Sequence, residues 1–377
     1  MSTRDFLCNL PLGTKMLLGS LKTYANGRKV EALKALADAS CNDFPSLNTK
    51  DYKNNLRNYL VRSAFSADET RNYITWLYGD KITKIRDGET VAEWPYIICV
   101  VKNEKSKLVE FMRHYQALGN FNYVFIDNGS TDGTLELLNS YNVIVYQCLE
   151  KFSTKRKLSW INKVYSTLPV GTWTILLDAD ELLVYDGYEK TNFNQVINKF
   201  NHKNIKTAAA VMIDMFSLHP CNREEYFKHY LYFENSFHEE KSYYFNSIYG
   251  GIREREFKFT ADRIFLIKKH PIVKKEKDTM LIHCHYIYPF NRNFEAVTYF
   301  GLLHYKLFDS EIKKYQDIAE NGSYGNGSIE YKTYINTFKN KTYDEIFKPD
   351  DLTIKYEGTP SLERIKCLHD VREILYE

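Results

Sequence analysis

Three carboxylates directly follow an apolar run near the middle of the chain. The run Trp173–Leu177 predicts a buried strand, and Asp178, Asp180 and Glu181 come immediately after it. Side chains alternate along a strand, so Asp178 and Asp180 can share one side, with Cβ atoms about 6–7 Å apart. Carboxylates this close ionise together only when a cation neutralises them. Oxygen ligands favour Mg²⁺ or Mn²⁺, commonly completed by substrate phosphates. The alternative is that these acids merely end the strand and cap a helix.

A second polar segment, residues 127–134, reads Asp-Asn-Gly-Ser-Thr-Asp-Gly-Thr and lies between a predicted strand and a predicted helix. Asn128 and the following glycine supply a tight turn, and Ser130 or Thr131 can cap the helix. Asp127, at the end of the strand, can accept a hydrogen bond from a nucleobase imide or a ribose hydroxyl. A well-capped turn without a ligand accounts for the same residues, so both interpretations stay open.

The run Lys155-Arg156-Lys157 opens a predicted helix. Three cations at a helix N-terminus oppose the macrodipole, which favours anions there. A docked diphosphate would resolve the conflict, because the free N–H groups and the cations would then act together. The alternative is that the three side chains simply extend into water.

Histidines and two glutamates add candidates later in the chain. His283 and His285 flank a cysteine, but no second Cys/His pair lies at zinc-finger spacing, which disfavours a structural zinc site. The pattern better fits a single histidine that completes a site where carboxylates hold a divalent metal ion. His304 is the first candidate for this ligand and His285 the second. In residues 250–256, Gly-Gly-Ile-Arg-Glu-Arg-Glu, Glu254 and Glu256 are candidates for a general base, and a solvated strand edge is the alternative.

The segments that carry these residues are predicted to alternate between strand and helix. Apolar spacing predicts strands at 96–101, 123–126, 143–147 and 173–177, and helices at 107–118, 131–140 and 155–168. This order predicts a mostly parallel sheet with helices on both faces, in which ligands bind at the carboxyl ends of the strands. Residues with suspected chemistry follow these strands: Lys102, Asn103 and Glu104; Asp127 and Asn128; Asp178 and Asp180.

The later part of the chain is less regular. We expect a helix at 192–200 and a strand at 207–214, then short strands at 265–267, 280–283 and 286–288. A helix is predicted from 293 or 294 into the run 301–306. The first 94 residues predict helices that pack on a membrane surface, on a partner or on the rest of this chain.

Composition limits the class of protein. The 377 residues carry a net charge of only +3, which does not predict nucleic-acid binding. Seven scattered cysteines without a C-x-x-C pair predict free thiols in a reducing compartment. The N-terminus lacks the apolar core of a signal peptide, and no apolar run is long enough to cross a membrane. We therefore expect a cytoplasmic protein, with peripheral membrane contact left open.

Five segments together resemble the family 2-like glycosyltransferases of GT-A fold, which is a Rossmann-like α/β fold. The closer likeness is to the subgroup with DNxSxDGT, LDxDEF and LLHFK-type segments and an arginine-rich turn. The matching segments run in the same order here: Val-Val-Lys-Asn-Glu at 100–104, Asp-Asn-Gly-Ser-Thr-Asp-Gly-Thr at 127–134, Leu-Leu-Asp-Ala-Asp-Glu at 176–181, the turn at 250–255, and Leu-Leu-His-Tyr-Lys at 302–306.

The resemblance implies a domain at 95–310, between helical extensions at 1–94 and 311–377. It implies that Asp127 contacts the nucleobase, and that Asp178 and Asp180 bind the ribose and, through Mn²⁺ or Mg²⁺, the diphosphate. His304 would complete the metal site and Lys306 would meet the diphosphate. The family's downstream acidic pair has no clean copy here, so Glu254 and Glu256 are the candidates for the base.

We therefore predict a metal-dependent glycosyltransferase that uses a nucleotide-diphosphate sugar and inverts the anomeric configuration. A UDP-sugar is favoured and a GDP-sugar is possible, with a glycan or glycolipid acceptor of surface polysaccharide biosynthesis. One alternative is a sugar-nucleotide nucleotidyltransferase, although the loop after the first strand lacks the glycines that such enzymes carry. The other is a non-catalytic carbohydrate-binding protein, which would bind sugar without metal dependence.

Overall fold

The computed structural model describes residue 76 and residues 79–221, 226–241, 246–257, 265–276, 279–281, 283, 285, 287–288, 291–307, 311–322 and 325–376. Its strands are β1 (Thr83–Arg86), β2 (Tyr96–Val101), β3 (Asn122–Asp127), β4 (Ile144–Gln147), β5 (Trp173–Leu177), β6 (Glu181–Val184), β7 (Thr207–Asp214), β8 (Tyr232–Glu234), β9 (His238–Lys241), β10 (Asn246–Tyr249), β11 (Lys268–Lys274), β12 (Met280–Leu281), β13 (Ile287–Tyr288), β14 (Thr298–His304) and β15 (Thr353–Lys355).

The helices connect these strands and continue to the end of the described chain. They are α1 (Lys105–Leu118), α2 (Thr134–Leu138), α3 (Thr154–Thr167), α4 (Phe193–His202), α5 (Tyr226–His229), α6 (Gly251–Glu256), α7 (Asn291–Glu295), α8 (Ile312–Asn321), α9 (Gly325–Asn340), α10 (Tyr343–Ile346), α11 (Thr359–Leu362) and α12 (Arg372–Tyr376). None of the helices in the described part of the chain combines the length and apolarity needed to cross a lipid bilayer.

A nine-stranded sheet forms the centre of the molecule, in the order β1-β4-β3-β2-β5-β11-β7-β14-β6. Strands β2, β3, β4 and β5 are parallel, whereas β11 is antiparallel to both of its neighbours, β5 and β7. Strand β14 is parallel to β7, and the outer strands β1 and β6 are antiparallel to theirs. Six strands therefore share one direction, and their carboxyl ends lie at one edge. This is an α/β fold with a mixed, mostly parallel sheet, compatible with a Rossmann-like fold.

Apolar side chains on both faces of the sheet explain why helices cover both sides. In β2, Ile97 and Cys99 pack into one core with α1 and α4, and Ile98 packs into the opposite core with α3. The period-two alternation of a strand sends successive side chains to opposite faces. A strand buried on both faces reads as an unbroken apolar run, as expected for an interior parallel strand.

Several predictions for the second half of the chain are wrong. Residues 265–267 form no regular structure, and the strand is Lys268–Lys274 instead. The helix expected to continue into 301–306 is a short helix, α7, followed by the strand β14. A short apolar run buried on both sides fits either a helix or a strand by periodicity, and pairing with β6 and β7 decides for the strand. Residues 251–256 form a helix rather than a strand edge.

The C-terminal residues pack onto the sheet-containing part of the chain. Strand β15 pairs with β8. The backbone N–H of His369 donates to the carbonyl of Thr298 at 2.9 Å, and the hydroxyl of Thr359 accepts from the N–H of Gly187 at 2.8 Å. The predicted extension at 311–377 is thus in direct contact with the predicted domain. The predicted N-terminal extension falls almost wholly outside the described residues.

Candidate functional site

Polar side chains gather at the edge where the parallel strands end. Asp178 follows β5, and Asp214 and His304 are the last residues of β7 and β14. The antiparallel strands β6 and β11 begin at this edge and bring Glu181 and Lys269 to it. Ligands of open α/β sheets bind at this kind of edge. We use the name strand-end cluster for Asp178, Asp180, Glu181, Asp214, Lys269 and His304.

Two lysines neutralise Asp178. Lys157 of α3 contacts its Oδ1, and Nζ of Lys269 lies 3.5 Å from its Oδ2. Glu181 is fully buried, contacts Lys269, and accepts a hydrogen bond from the backbone N–H of Asp178 at 3.1 Å. Burial alone would raise the pKa of Asp178, but the two ammonium groups outweigh it and hold that pKa below its ordinary value. Asp178 is therefore an ionised carboxylate between two cations.

Asp180 faces a lysine and a histidine. Its Oδ2 lies 3.7 Å from Nζ of Lys107 and 3.8 Å from Nε2 of His304. Lys107 is buried and also lies 3.2 Å from Glu104 and 3.8 Å from Glu311. Burial would raise the pKa of Asp180, but Lys107 and His304 lower it below its ordinary value. Because 18% of its side chain is exposed, a ligand can reach this carboxylate.

The imidazole of His304 is oriented by a buried carboxylate. Its Nδ1 lies 2.6 Å from Oδ1 of Asp214. Nη2 of Arg253 lies 2.8 Å from the same Nδ1, and it also donates to Oδ1 of Asp214 at 2.8 Å. A carboxylate can only accept and a guanidinium can only donate, so Nδ1 of His304 either donates to Asp214 or accepts from Arg253. When Nδ1 of the neutral ring donates to Asp214, Nε2 presents a lone pair toward Asp180, the arrangement in which carboxylates orient metal-binding histidines.

A glycine allows Arg253 to reach the strand-end cluster. Helix α6 begins directly after Gly250, whose φ is +122°. A Cβ at this position would collide with the backbone oxygen of Ser236 and lie 2.8 Å from Cα of Phe237. Glycine alone accepts both the backbone conformation and the close approach. The helix is thereby held against the neighbouring segment, with Arg253 buried beside Asp214.

The carboxylate of Asp127 holds its own turn. It accepts from the N–H groups of Gly129 at 3.0 Å and Ser130 at 3.2 Å, and from the side-chain amide of Gln147 at 3.1 Å. Asp127 is fully buried. Helix α2 starts only at Thr134, so the predicted cap by Ser130 or a neighbouring threonine is wrong. These hydrogen bonds show that Asp127 stabilises the turn after β3. Its contact with a nucleobase stays a prediction.

Two asparagines join the loops at this edge. The side-chain oxygen of Asn103 accepts from the N–H of Thr131 at 2.7 Å, which ties the loop after β2 to the loop after β3. The amide of Asn128 donates to the carbonyls of Cys148 at 2.7 Å and Glu150 at 2.9 Å, which ties β3 to the loop after β4. Both asparagines therefore shape the loops expected to surround a nucleotide.

The lysines and the arginine that were predicted to bind a diphosphate do not lie together at one site. Arg156 makes two hydrogen bonds of 2.6 Å with the buried carboxylate of Asp80, a structural ion pair. Lys102 is exposed and Lys155 is half-buried. The member of the basic run that reaches the strand-end cluster is Lys157, through Asp178.

The two predicted bases contact residues outside the strand-end cluster. Glu254 lies 3.4 Å from Nδ1 of His238, and Glu256 forms a 2.6 Å ion pair with Lys341. These contacts do not favour a role as general base, because both carboxylates already have partners outside the strand-end cluster. That role stays a prediction. His285, the second choice for a metal ligand, has its Nδ1 2.8 Å from the carbonyl of Lys268.

Sequence reasoning missed several residues of the site. Asp214 ends a correctly predicted strand, and Arg253 lies in the arginine-rich turn, so both carried a signal that could have been used. Lys107 and Lys269 carried none, because a lysine within a helix or strand is normally read as solvated. Their burial follows from long-range pairing with Asp180 and Glu181.

The donor set determines which metal site fits. Among the described residues, no group of three or more His, Cys, Asp and Glu side chains is arranged to hold a metal ion. Asp180 and His304 nevertheless present an oxygen and a nitrogen 3.8 Å apart. Mg²⁺ commonly takes one or two protein carboxylates and completes its shell with substrate phosphates and water. These two side chains therefore fit a site that a diphosphate completes, whereas Asp178 is neutralised by lysines.

Comparisons with known proteins give no independent assignment. The sequence matches no protein-family model and no curated protein.

Proposed function

We propose that the protein is a metal-dependent glycosyltransferase of GT-A fold that uses a nucleotide-diphosphate sugar. The observation that carries the proposal is the pairing of Asp180 with His304 at the carboxyl-end edge of the sheet. Nε2 of this histidine faces the carboxylate at 3.8 Å while Asp214 fixes Nδ1. A partly exposed carboxylate and an oriented imidazole suit a divalent cation shared with a ligand.

Asp180 and His304 would hold Mn²⁺ or Mg²⁺. A divalent cation in such a site stabilises the negative charge that develops on a leaving diphosphate. Lys107 keeps Asp180 ionised, because Glu104, Asp180 and Glu311 outweigh burial and raise the pKa of this lysine well above its ordinary value. The carboxylate is therefore available as a ligand without a change in protonation.

Lysines around the strand-end cluster supply charge that suits a diphosphate. Lys157 and Lys269 flank Asp178, and Lys306 lowers the pKa of Asp180 electrostatically. Asp178 holds both ammonium groups at this edge, and Glu181 also pairs with Lys269, so the two lysines are in position before a donor arrives. We assign the acceptor to the class of glycans and glycolipids on the sequence resemblance alone. The cytoplasmic location is proposed from the scattered cysteines without a C-x-x-C pair, and peripheral membrane contact is left open.

Isothermal titration with UDP and with GDP tests the proposal. We expect one of them to bind about tenfold or more tightly with Mn²⁺ than with EDTA, since the metal links the diphosphate to Asp180 and His304. A His304→Ala variant should lose the Mn²⁺ dependence, and His202→Ala, on the exposed face of α4, is the matched control.

The titration also separates the alternatives. A nucleotidyltransferase would prefer nucleoside triphosphates over diphosphates under the same conditions. A non-catalytic carbohydrate-binding protein would bind free sugars with no effect of Mn²⁺. Nucleotide affinity that is equal with Mn²⁺ and with EDTA would contradict the proposed function.

A further inference from the structure

Three donors from three elements converge on a single carboxylate oxygen. Oε1 of Glu330, on α9, lies 2.9 Å from Nζ of Lys306, 2.5 Å from the hydroxyl of Tyr334 and 3.5 Å from Nη1 of Arg253. Lys306 follows β14, Tyr334 lies one turn further along α9, and Arg253 belongs to α6. An ammonium, a phenol and a guanidinium aimed at one oxygen atom are the donor set of a phosphoryl-binding site.

Contacts with other residues hold these donors in place. Asp214 fixes the guanidinium of Arg253 through a 2.7 Å ion pair. The ammonium of Lys306 lies 4.7 Å from the ring centre of Tyr331 and 5.5 Å from that of Tyr334, so both rings support the cation. The donors would therefore keep their arrangement if Glu330 moved away.

Glu330 is the movable member of this group. Its side chain is 27% exposed, whereas Arg253 is 4% exposed and Tyr334 is fully buried. Burial would raise the pKa of Glu330, but Lys306 and Arg253 outweigh it and hold that pKa well below its ordinary value. An ionised carboxylate on a partly exposed side chain can be replaced by another anion.

We propose that Arg253, Lys306 and Tyr334 form an anion site for a phosphoryl group of the donor, and that Glu330 occupies it until the donor displaces the carboxylate. This inference rests on the proposed function, because the site adjoins the Asp180–His304 pair. Arg253 contacts His304 directly at 2.8 Å. In this proposal one diphosphate spans both sites, with one phosphoryl group at the metal and the other at Arg253, Lys306 and Tyr334.

Displacement gives Glu330 a regulatory role. Its carboxylate balances the charge of Lys306 in the free protein, while Asp214 pairs with Arg253, and it competes with the incoming phosphoryl group for the same hydrogen bonds. Glu330 thus weakens donor binding and favours release of the nucleotide product. The residue lies after position 310, so a part of the chain beyond the resembled segments would set donor affinity.

Inorganic pyrophosphate in EDTA is the probe, because it reports on the anion site without a metal or a nucleoside. We expect Glu330→Gln to bind pyrophosphate about tenfold more tightly than the unaltered protein, since the amide keeps the side-chain shape and removes the competing charge. Glu330→Ala should change affinity in the same direction. Tyr334→Phe should weaken binding several-fold. Glu320→Gln, on an exposed position of α8, controls for the change in net charge.

The result can also overturn the inference. Unchanged or weaker pyrophosphate binding by both Glu330 variants would mean that the carboxylate positions Lys306 rather than competing with a ligand. The titrations with UDP, GDP and Mn²⁺ decide the proposed function separately. Tighter pyrophosphate binding without metal-dependent nucleotide binding would support the anion site and reject the glycosyltransferase.

Discussion

Asp180→Asn is expected to reduce nucleotide release from a UDP- or GDP-sugar by on the order of 10²–10³-fold, the usual cost of removing a group that stabilises developing charge. The amide keeps the shape of the side chain but is a poor ligand for a divalent cation. Lys107 retains Glu104 and Glu311 as partners, so the fold should persist. Release is measured by coupled detection of the nucleoside diphosphate, with unfolding followed by circular dichroism.

Asp317→Asn is the matched control, because this aspartate is exposed on α8 and its substitution changes the net charge equally. It should keep the activity of the unaltered protein. Full activity of Asp180→Asn with the same donor would exclude Asp180 as a metal ligand and would contradict the proposed mechanism.

Asp80→Ala is expected to lower the free energy of unfolding by about 3–5 kcal/mol, the usual cost of breaking a buried ion pair by removing one partner. The carboxylate accepts two 2.6 Å hydrogen bonds from Arg156 and one of 2.5 Å from the indole of Trp160. Its loss leaves the buried indole N–H and part of the guanidinium without an acceptor. Urea denaturation followed by tryptophan fluorescence measures the change.

The exposed Asp87, paired with Lys84, provides the comparison. Asp87→Ala should change stability by no more than about 0.5 kcal/mol, because surface ion pairs contribute little. If Asp80→Ala lost less than about 1 kcal/mol, the Asp80–Arg156 pair would not be the structural element described above, and Arg156 would again be a candidate for diphosphate binding.

Local sequence patterns predicted the part of the fold that contains the first half of the site. Tyr96–Val101 and Trp173–Leu177 are strands with the predicted bounds, and Thr207–Asp214 agrees likewise. Each is a short apolar run bounded by polar or turn-forming residues, and its length and boundaries favour a strand over a helix. The expectation that residues at the ends of the predicted strands would share one edge therefore holds for Asp127 at the end of β3 and Asp178 after β5.

The other half of the site depends on pairing between distant segments. Strand β11 begins with Lys268, Lys269 and His270, which are all buried. These residue types do not predict an interior strand. Lys269 is accommodated because Glu181, 88 positions earlier in the chain, provides its counter-charge. Such compensation arises only when the sheet is assembled, so it cannot be read from either segment separately.

The C-terminal helices illustrate the same limit. The sequence placed residues 311–377 outside the resembled domain, yet Glu311 lies 3.8 Å from Lys107 and Glu330 contacts Lys306. A glutamate on an amphipathic helix is usually a solvated residue. Its partner becomes evident only when the helix is packed across the sheet edge.

Anomalous diffraction at the manganese absorption edge tests the central claim most directly. Crystals would be soaked with Mn²⁺ and with whichever of UDP or GDP binds. We expect an anomalous peak bonded to Oδ2 of Asp180 and Nε2 of His304, at about 2.0–2.2 Å from each, with diphosphate oxygens completing the shell. A bound nucleotide whose diphosphate lies elsewhere, or a manganese peak that contacts neither side chain, would contradict it.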